Sequence, residues 1–172
     1  VDRSAPVRVA SLCAGIGCAD LALERFGRGR FVTVVYVERE VTAAAVLAAR
    51  MEEGRLPAAP VWSDLRTFDA GAWRGAVDLV VAGFPCTDIS LAGRGAGIHG
   101  EHSGLWFHVL RCVREMGPRV VVLENVPALS TRGIDVVLGG LAEVGLDAEW
   151  GCLRASDVGA PHKRERIFVV AH

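Results

Sequence analysis

Val77-Asp78-Leu79-Val80-Val81-Ala82-Gly83-Phe84-Pro85-Cys86 is a valine-rich apolar run closed by a glycine, a proline and a cysteine. A short apolar run bounded in this way predicts a buried strand. Pro85 has no amide hydrogen and a fixed φ, so it ends strand pairing and stiffens the chain just before the thiol. A cysteine at a strand's carboxyl end stands at the lip of an α/β sheet, where ligands and reacting groups collect. A free cysteine is also a common small buried hydrophobe, so Cys86 alone leaves both readings open.

The flanking sequence repeats the pattern. Strands are predicted over 7–12, 31–37, 60–62, 77–82 and 119–123, and helices over 17–26, 41–51 and 103–116. Gly117-Pro118 stops the last of these helices, as glycine and proline suit positions just past a helix end. A further helix is predicted over 134–144, and two final strands over 147–153 and 166–170. Strands alternating with helices predict a doubly wound, Rossmann-like α/β fold, with a mostly parallel sheet covered on both faces. The last two strands are expected to form an antiparallel edge. No repeat, low-complexity tract or linker divides residues 1–172, which read as a single domain.

Composition narrows the function. An apolar content of 51% in 172 residues provides for a sizeable core and argues against disorder. No stretch approaches the roughly 20 apolar residues of a membrane span. The amino terminus has no signal-peptide pattern, and a chain beginning at Val1 suggests a processed or trimmed sequence. Cysteines at 13, 18, 86, 112 and 152 form no CxxC and are odd in number, which fits a reducing cytoplasmic setting. His99, His102 and His108 lack companion ligands, so no metal site is expected. With 19 basic and 20 acidic residues, any nucleic-acid contact must be local or supplied by another segment or subunit.

Several constellations sit where predicted strands end. Ala14-Gly15-Ile16-Gly17 forms a glycine turn between the first strand and its helix, suited to close backbone approach by a ligand. Glu38 ends the second strand about 20 positions later, where an acid bonds ribose hydroxyls in nucleoside-binding α/β folds. Asp64, after the third strand, could accept from an adenine amino group or cap a turn. Glu124-Asn125-Val126 ends the fifth strand as Cys86 follows the fourth, so the two side chains could converge. A carboxyl at a buried strand end is expected to hold its proton through desolvation; pairing with an arginine is the alternative. Pro161-His162-Lys163-Arg164-Glu165-Arg166 reads either as a solvated turn or as a clamp for a phosphate or base.

Taken in order, these segments resemble the cytosine-C5 DNA methyltransferases. Ser11-Leu12-Cys13-Ala14-Gly15-Ile16-Gly17 looks like their first motif, Gly83-Phe84-Pro85-Cys86 like the catalytic motif and Glu124-Asn125-Val126 like the ENV motif. Residues 160–168 look like the late arginine motif. The resemblance implies S-adenosylmethionine as methyl donor and DNA as substrate, with Cys86 as nucleophile assisted by Glu124, Arg164 and Arg166. It implies cofactor contacts from Leu12, Ala14, Gly15, Ile16, Gly17, Glu38, Asp64, Leu65, Gly83 and Pro85. Substrate contacts are implied for Ser90, Arg94, Asn125 and Val126, with the glycine-rich 90–104 stretch as a lid.

Thr87 and His162 stand where the family commonly has glutamine, and Arg39 where an aromatic residue often stacks on adenine. Family members usually continue into a target-recognition domain and two more motifs. The resemblance therefore also admits a second polypeptide carrying that segment. A tRNA substrate and a non-catalytic, fold-retaining subunit are the alternatives.

Overall fold

β-Branched side chains crowd a helix but stand freely on a pleated strand, so the valine runs extend. They form β1 (Val7–Leu12), β2 (Phe31–Val37), the short β3 (Val61–Trp62), β4 (Leu79–Ala82) and β5 (Val120–Asn125). Strands β6 (Ala148–Arg154) and β7 (Glu165–Ala171) follow. The helices are α1 (Cys18–Gly27), α2 (Val41–Glu52), α3 (Leu105–Met116) and α4 (Ile134–Glu143). The structure is a computed structural model that describes residues 5–85 and 104–172; Cys86, Ser90, Arg94 and most of the glycine-rich stretch lie outside the described residues.

The seven strands form one sheet in the order β3-β2-β1-β4-β5-β7-β6, with β1 to β5 parallel. The chain runs outward from β1 to β2 and β3, then returns to place β4 on the other side of β1. The strand order therefore reverses between β1 and β4, and a crevice opens at their carboxyl ends. β7 inserts between β5 and β6 and runs antiparallel to both, giving the antiparallel end of the sheet.

One face carries most of the core. α3 buries Trp106, Val109, Cys112, Val113 and Met116 against Leu12, Val80, Val121, Leu123, Ile167 and Val169. Gly140 lets α4 close on α3, since a Cβ there would lie 2.7 Å from Leu110 Cδ2 and 3.3 Å from Trp106. α3 stops at Gly117, whose φ of 65° suits a residue without a Cβ and whose amide bonds the Val113 carbonyl.

The opposite face is covered unevenly. Val9, Leu79 and Val81 are buried there, whereas Val120 and Val122 are only partly covered. Val170 pairs directly with Val122, and Leu153 lies farther out on the same face; they are 42% and 54% exposed. Helical cover on both faces, as the alternating pattern predicts, therefore thins from β5 outward.

α1 is pinned by a polar device that periodicity does not reveal. The Asp20 carboxylate is buried and accepts hydrogen bonds from Ser11 Oγ on β1 and Thr33 Oγ1 on β2, both at 2.8 Å. Two donors satisfy a group whose burial unpaired is costly. Among the described residues, no helix is long and apolar enough to cross a membrane.

Candidate active site and cofactor cleft

A cleft of about 740 Å³ opens over the carboxyl ends of β1, β2 and β4, at the strand-order reversal. Its lining includes Gly15, Glu38, Asp64, Leu65, Gly83 and Pro85, drawn from four separate loops. The glycine turn takes its shape from two positive φ angles, 56° at Gly15 and 77° at Gly17. Gly17 also faces Leu56 and Leu47, whose carbons lie 2.7 and 2.8 Å from where a Cβ would stand. Arg50 on α2 donates from Nη1 to the Ile16 carbonyl and ties the turn to the neighbouring helix.

Glu38 bridges two loops. Its Oε2 accepts from the Gly15 amide at 2.6 Å and its Oε1 from the Glu40 amide at 2.7 Å. Each oxygen retains acceptor capacity toward the cleft. Asp64 Oδ1 accepts from the Arg66 amide at 2.9 Å and stands 3.5 Å from the Arg66 guanidinium. Leu12, Ala14, Ile16 and Gly17 shape the turn without lining the cleft: Leu12 is core and the Ile16 side chain is exposed.

Cys13, Val37, Arg39, Glu40, Val41, Arg66 and Leu105 also line the cleft. For Cys13, Val37 and Glu40 the signal was adjacency to a strand end. Leu105 had none, because only the tertiary placement of α3 brings it there. Cys13 has a φ of 52°, in the left-handed region that disfavours side chains. Burial first, then the charges of Glu38 and Asp64 and the neighbouring Cys112, push its thiol up to about 12. It is therefore protonated and unreactive near neutral pH.

The second part of the site lies beside Gly83. Glu124, at the end of β5, is opposite Phe168 on β7, and Arg166 lies two residues along on the same face. Arg166 Nε bonds Glu124 Oε1 at 2.8 Å. The other oxygen, Oε2, comes within 3.5 Å of where a Cβ on Gly83 would stand. The carboxylate is thus anchored on one side and packed on the glycine on the other. With its side chain 40% exposed it is more open than a buried strand end implies, and the arginine pairing is the one realised.

Asn125 alternates to the opposite face and is 4% exposed. Its Nδ2 donates to the Phe84 carbonyl at 3.2 Å and its Oδ1 accepts from the Val126 amide at 2.8 Å. The amide is spent on backbone and holds the stem that leads to Cys86. Phe84 is buried too, with its ring 5.7 Å from that of Trp106. Arg164 is exposed, and no ion pair holds it among the described residues. Among those residues no group of three histidine, cysteine or acidic side chains could hold a metal.

A family model for C-5 cytosine-specific DNA methylases matches residues 7–172. The chain belongs to the C-5 cytosine-specific DNA methylase family. A Type II methyltransferase, M.CviJI of a Paramecium bursaria Chlorella virus, is 35% identical over 165 residues, covering 95% of this chain and 42% of that protein. M.Bsp6I, a Type II methyltransferase of a Bacillus species, is 32% identical over 170 residues, covering 95% of this chain and 51% of its own. In fold, the chain is similar to the Entamoeba histolytica methyltransferase EhMeth, with a TM-score of 0.80 at 16% identity over 97% of this chain and 53% of that one. The chain thus spans about half the length of the relatives it matches. The four motifs read from the sequence all lie within the stretch matched to this C-5 cytosine-specific DNA methylase family.

Proposed function

We propose that this chain carries the methyl-transfer centre of a DNA (cytosine-5)-methyltransferase. The observation that supports it most is Glu124, anchored by Arg166 and packed against Gly83, just before Cys86 in the chain. In this reading the cleft holds S-adenosylmethionine. Glu38 keeps acceptor capacity for a ribose diol, Asp64 for an adenine amino group, and Gly15 and Gly83 let backbone approach the ligand. When bound, S-adenosylmethionine would supply an electrophilic methyl group on a sulfonium sulfur, which would keep the S–CH3 bonding pair and leave as a neutral thioether.

The chain's residues do the rest. C5 of cytosine is a poor nucleophile. Cys86 loses its thiol proton to a base and adds as thiolate to C6, forming a C–S bond and shifting the C5–C6 electron pair toward C5. Glu124 shares a proton with N3 and stabilises the charge that builds on the ring as sulfur adds. Arg166 keeps Glu124 aimed, and Arg164 contacts the base region. After C5 takes the methyl group, loss of its proton to a base and elimination of the Cys86 thiolate restore the ring. C6 is hidden within a duplex, so the cytosine must first leave the stack, at a cost of a few kcal/mol.

Target recognition falls to a further segment, on this polypeptide or on a second one. The near balance of charge supports that reading. Methyl transfer from labelled S-adenosylmethionine to duplex DNA and to tRNA, side by side, tests the substrate. With any recognition partner supplied, label in DNA cytosine is expected; label in tRNA alone would move the assignment to RNA, and label in neither would favour a non-catalytic subunit.

A further inference from the structure

Arg111, on the second turn of α3, lies outside the motifs and outside the cleft lining, yet it holds one wall of that cleft. Its Nη2 donates to the Leu65 carbonyl at 2.8 Å and its Nη1 to the Phe68 carbonyl at 3.1 Å. Nη1 also meets Glu115 Oε2, one turn further along the helix, at 2.8 Å. The two carbonyls belong to the 64–68 segment, which has neither a strand ladder nor a helix to fix it. Inside that segment only a tight turn operates, with Thr67 bonding the Asp64 carbonyl and the Arg66 amide bonding the Asp64 carboxylate. The turn fixes its own shape but not its place relative to the sheet.

Three contacts set that place among the described residues. One is burial of Leu65 and Phe68, both 4% exposed. The second is the Trp62 indole on β3, whose Nε1 donates to Thr67 Oγ1 at 3.2 Å. The third is the Arg111 fork, which reaches the segment from α3. A guanidinium is planar and presents several donors at fixed angles, so one side chain spans two carbonyls; a lysine ammonium is a point donor and cannot hold both in the same way. Arg111 is one-third exposed, and Glu115 keeps its guanidinium oriented. The same helix brings Leu105 to the cleft, so Arg111 joins the α3 wall to the Asp64–Leu65 wall.

We infer that Arg111 is a positioning residue for the nucleoside end of the cleft: it sets Asp64 and Leu65 for the cofactor without touching it. The inference rests on the reading of the cleft as an S-adenosylmethionine site. Its effect belongs in cofactor affinity and not in the methyl-transfer step.

The test compares the wild type with Arg111→Lys and, as a control on the same helix, Arg114→Lys, all in the intact protein. Three quantities are measured: hydrogen exchange of the 65–68 amides, S-adenosylmethionine affinity by calorimetry, and kcat at saturating cofactor. Arg111→Lys is expected to speed exchange in the segment and weaken S-adenosylmethionine binding by about tenfold, from the loss of charge-assisted bonds to carbonyls. Exchange elsewhere, the melting temperature and kcat stay near those of Arg114→Lys. Unchanged affinity, whether or not the segment loosens, overturns the role, as does a loss confined to kcat. Should Arg111→Lys melt globally, Glu115→Gln, which removes the charge that orients the guanidinium, takes its place: faster exchange at 65–68 with a several-fold loss of S-adenosylmethionine affinity and unchanged kcat supports the fork, and unchanged affinity overturns it. A wild type without affinity for S-adenosylmethionine would instead overturn the reading of the cleft, a result the other variants do not affect.

Discussion

Glu124 owes its setting to strand alternation: on an antiparallel pair, Phe168 and Arg166 share its face, and Arg166 is near enough to bond it. Glu124→Gln keeps the size but not the ionisable group. It is expected to slow methyl transfer by about 10²–10⁴-fold, the range typical of a lost acid–base group, with little change in melting temperature. The pair is partly exposed, so Arg166→Ala should cost about 1 kcal/mol or less in stability, read by urea unfolding, while activity falls much further. Asp20 gives the reverse profile. Burial raises its carboxyl above the ordinary value, so the folded chain favours the protonated form. That contribution is complete below the unfolded pKa and is lost as pH rises through the folded one. Asp20→Asn removes the titration, so the wild type should gain stability relative to it as pH is lowered from neutrality. Urea unfolding at several pH values measures this; a gap that is flat or of opposite slope contradicts it.

At the scale of elements, the glycine turn shows how a local conformation and a tertiary contact fall on one residue. Gly17 needs a positive φ and leaves no room for a Cβ against Leu47 and Leu56. Gly17→Ala is expected to cost about 1–3 kcal/mol through strain and overpacking, and to weaken cofactor binding through the displaced turn. Thermal melts and calorimetry check both. The strands were legible because valine runs leave little choice of conformation, and α3 because its apolar spacing and Gly117 mark it. The insertion of β7 between β5 and β6 was not, since pairing order is a non-local matter that local pattern does not encode. For the same reason Glu38, Asp64 and Gly83 were legible as strand-end residues, whereas Leu105 and Arg111 reach the cleft only through the packing of a helix distant in sequence. Asn125 lay within a legible motif, but only the fold shows its amide turned to the Phe84 carbonyl.

For the whole molecule, the distribution of thiols separates core from surface. Cys112 is buried, with burial pushing its thiol up to about 11, and Cys13 is held at about 12; Cys18 and Cys152 are exposed. Alkylation at neutral pH, followed by peptide mass mapping, should modify Cys18 and Cys152 more than roughly tenfold faster than Cys13 and Cys112, because the thiolate is the reactive form. Cys86 belongs to neither group if it is the nucleophile proposed: its reactivity should appear toward a base and not only toward a reagent. The sheet order places its stem, Gly83 to Pro85, between the cleft lined by Gly15, Glu38 and Asp64 and the Glu124–Arg166 pair. Trapping with duplex DNA containing 5-fluorocytosine, in the presence of S-adenosylmethionine and with any recognition partner supplied, tests this most directly, because fluorine at C5 blocks release of the adduct. A denaturation-resistant protein–DNA adduct is expected with the wild type and none with Cys86→Ser. An adduct that survives Cys86→Ser would contradict the account.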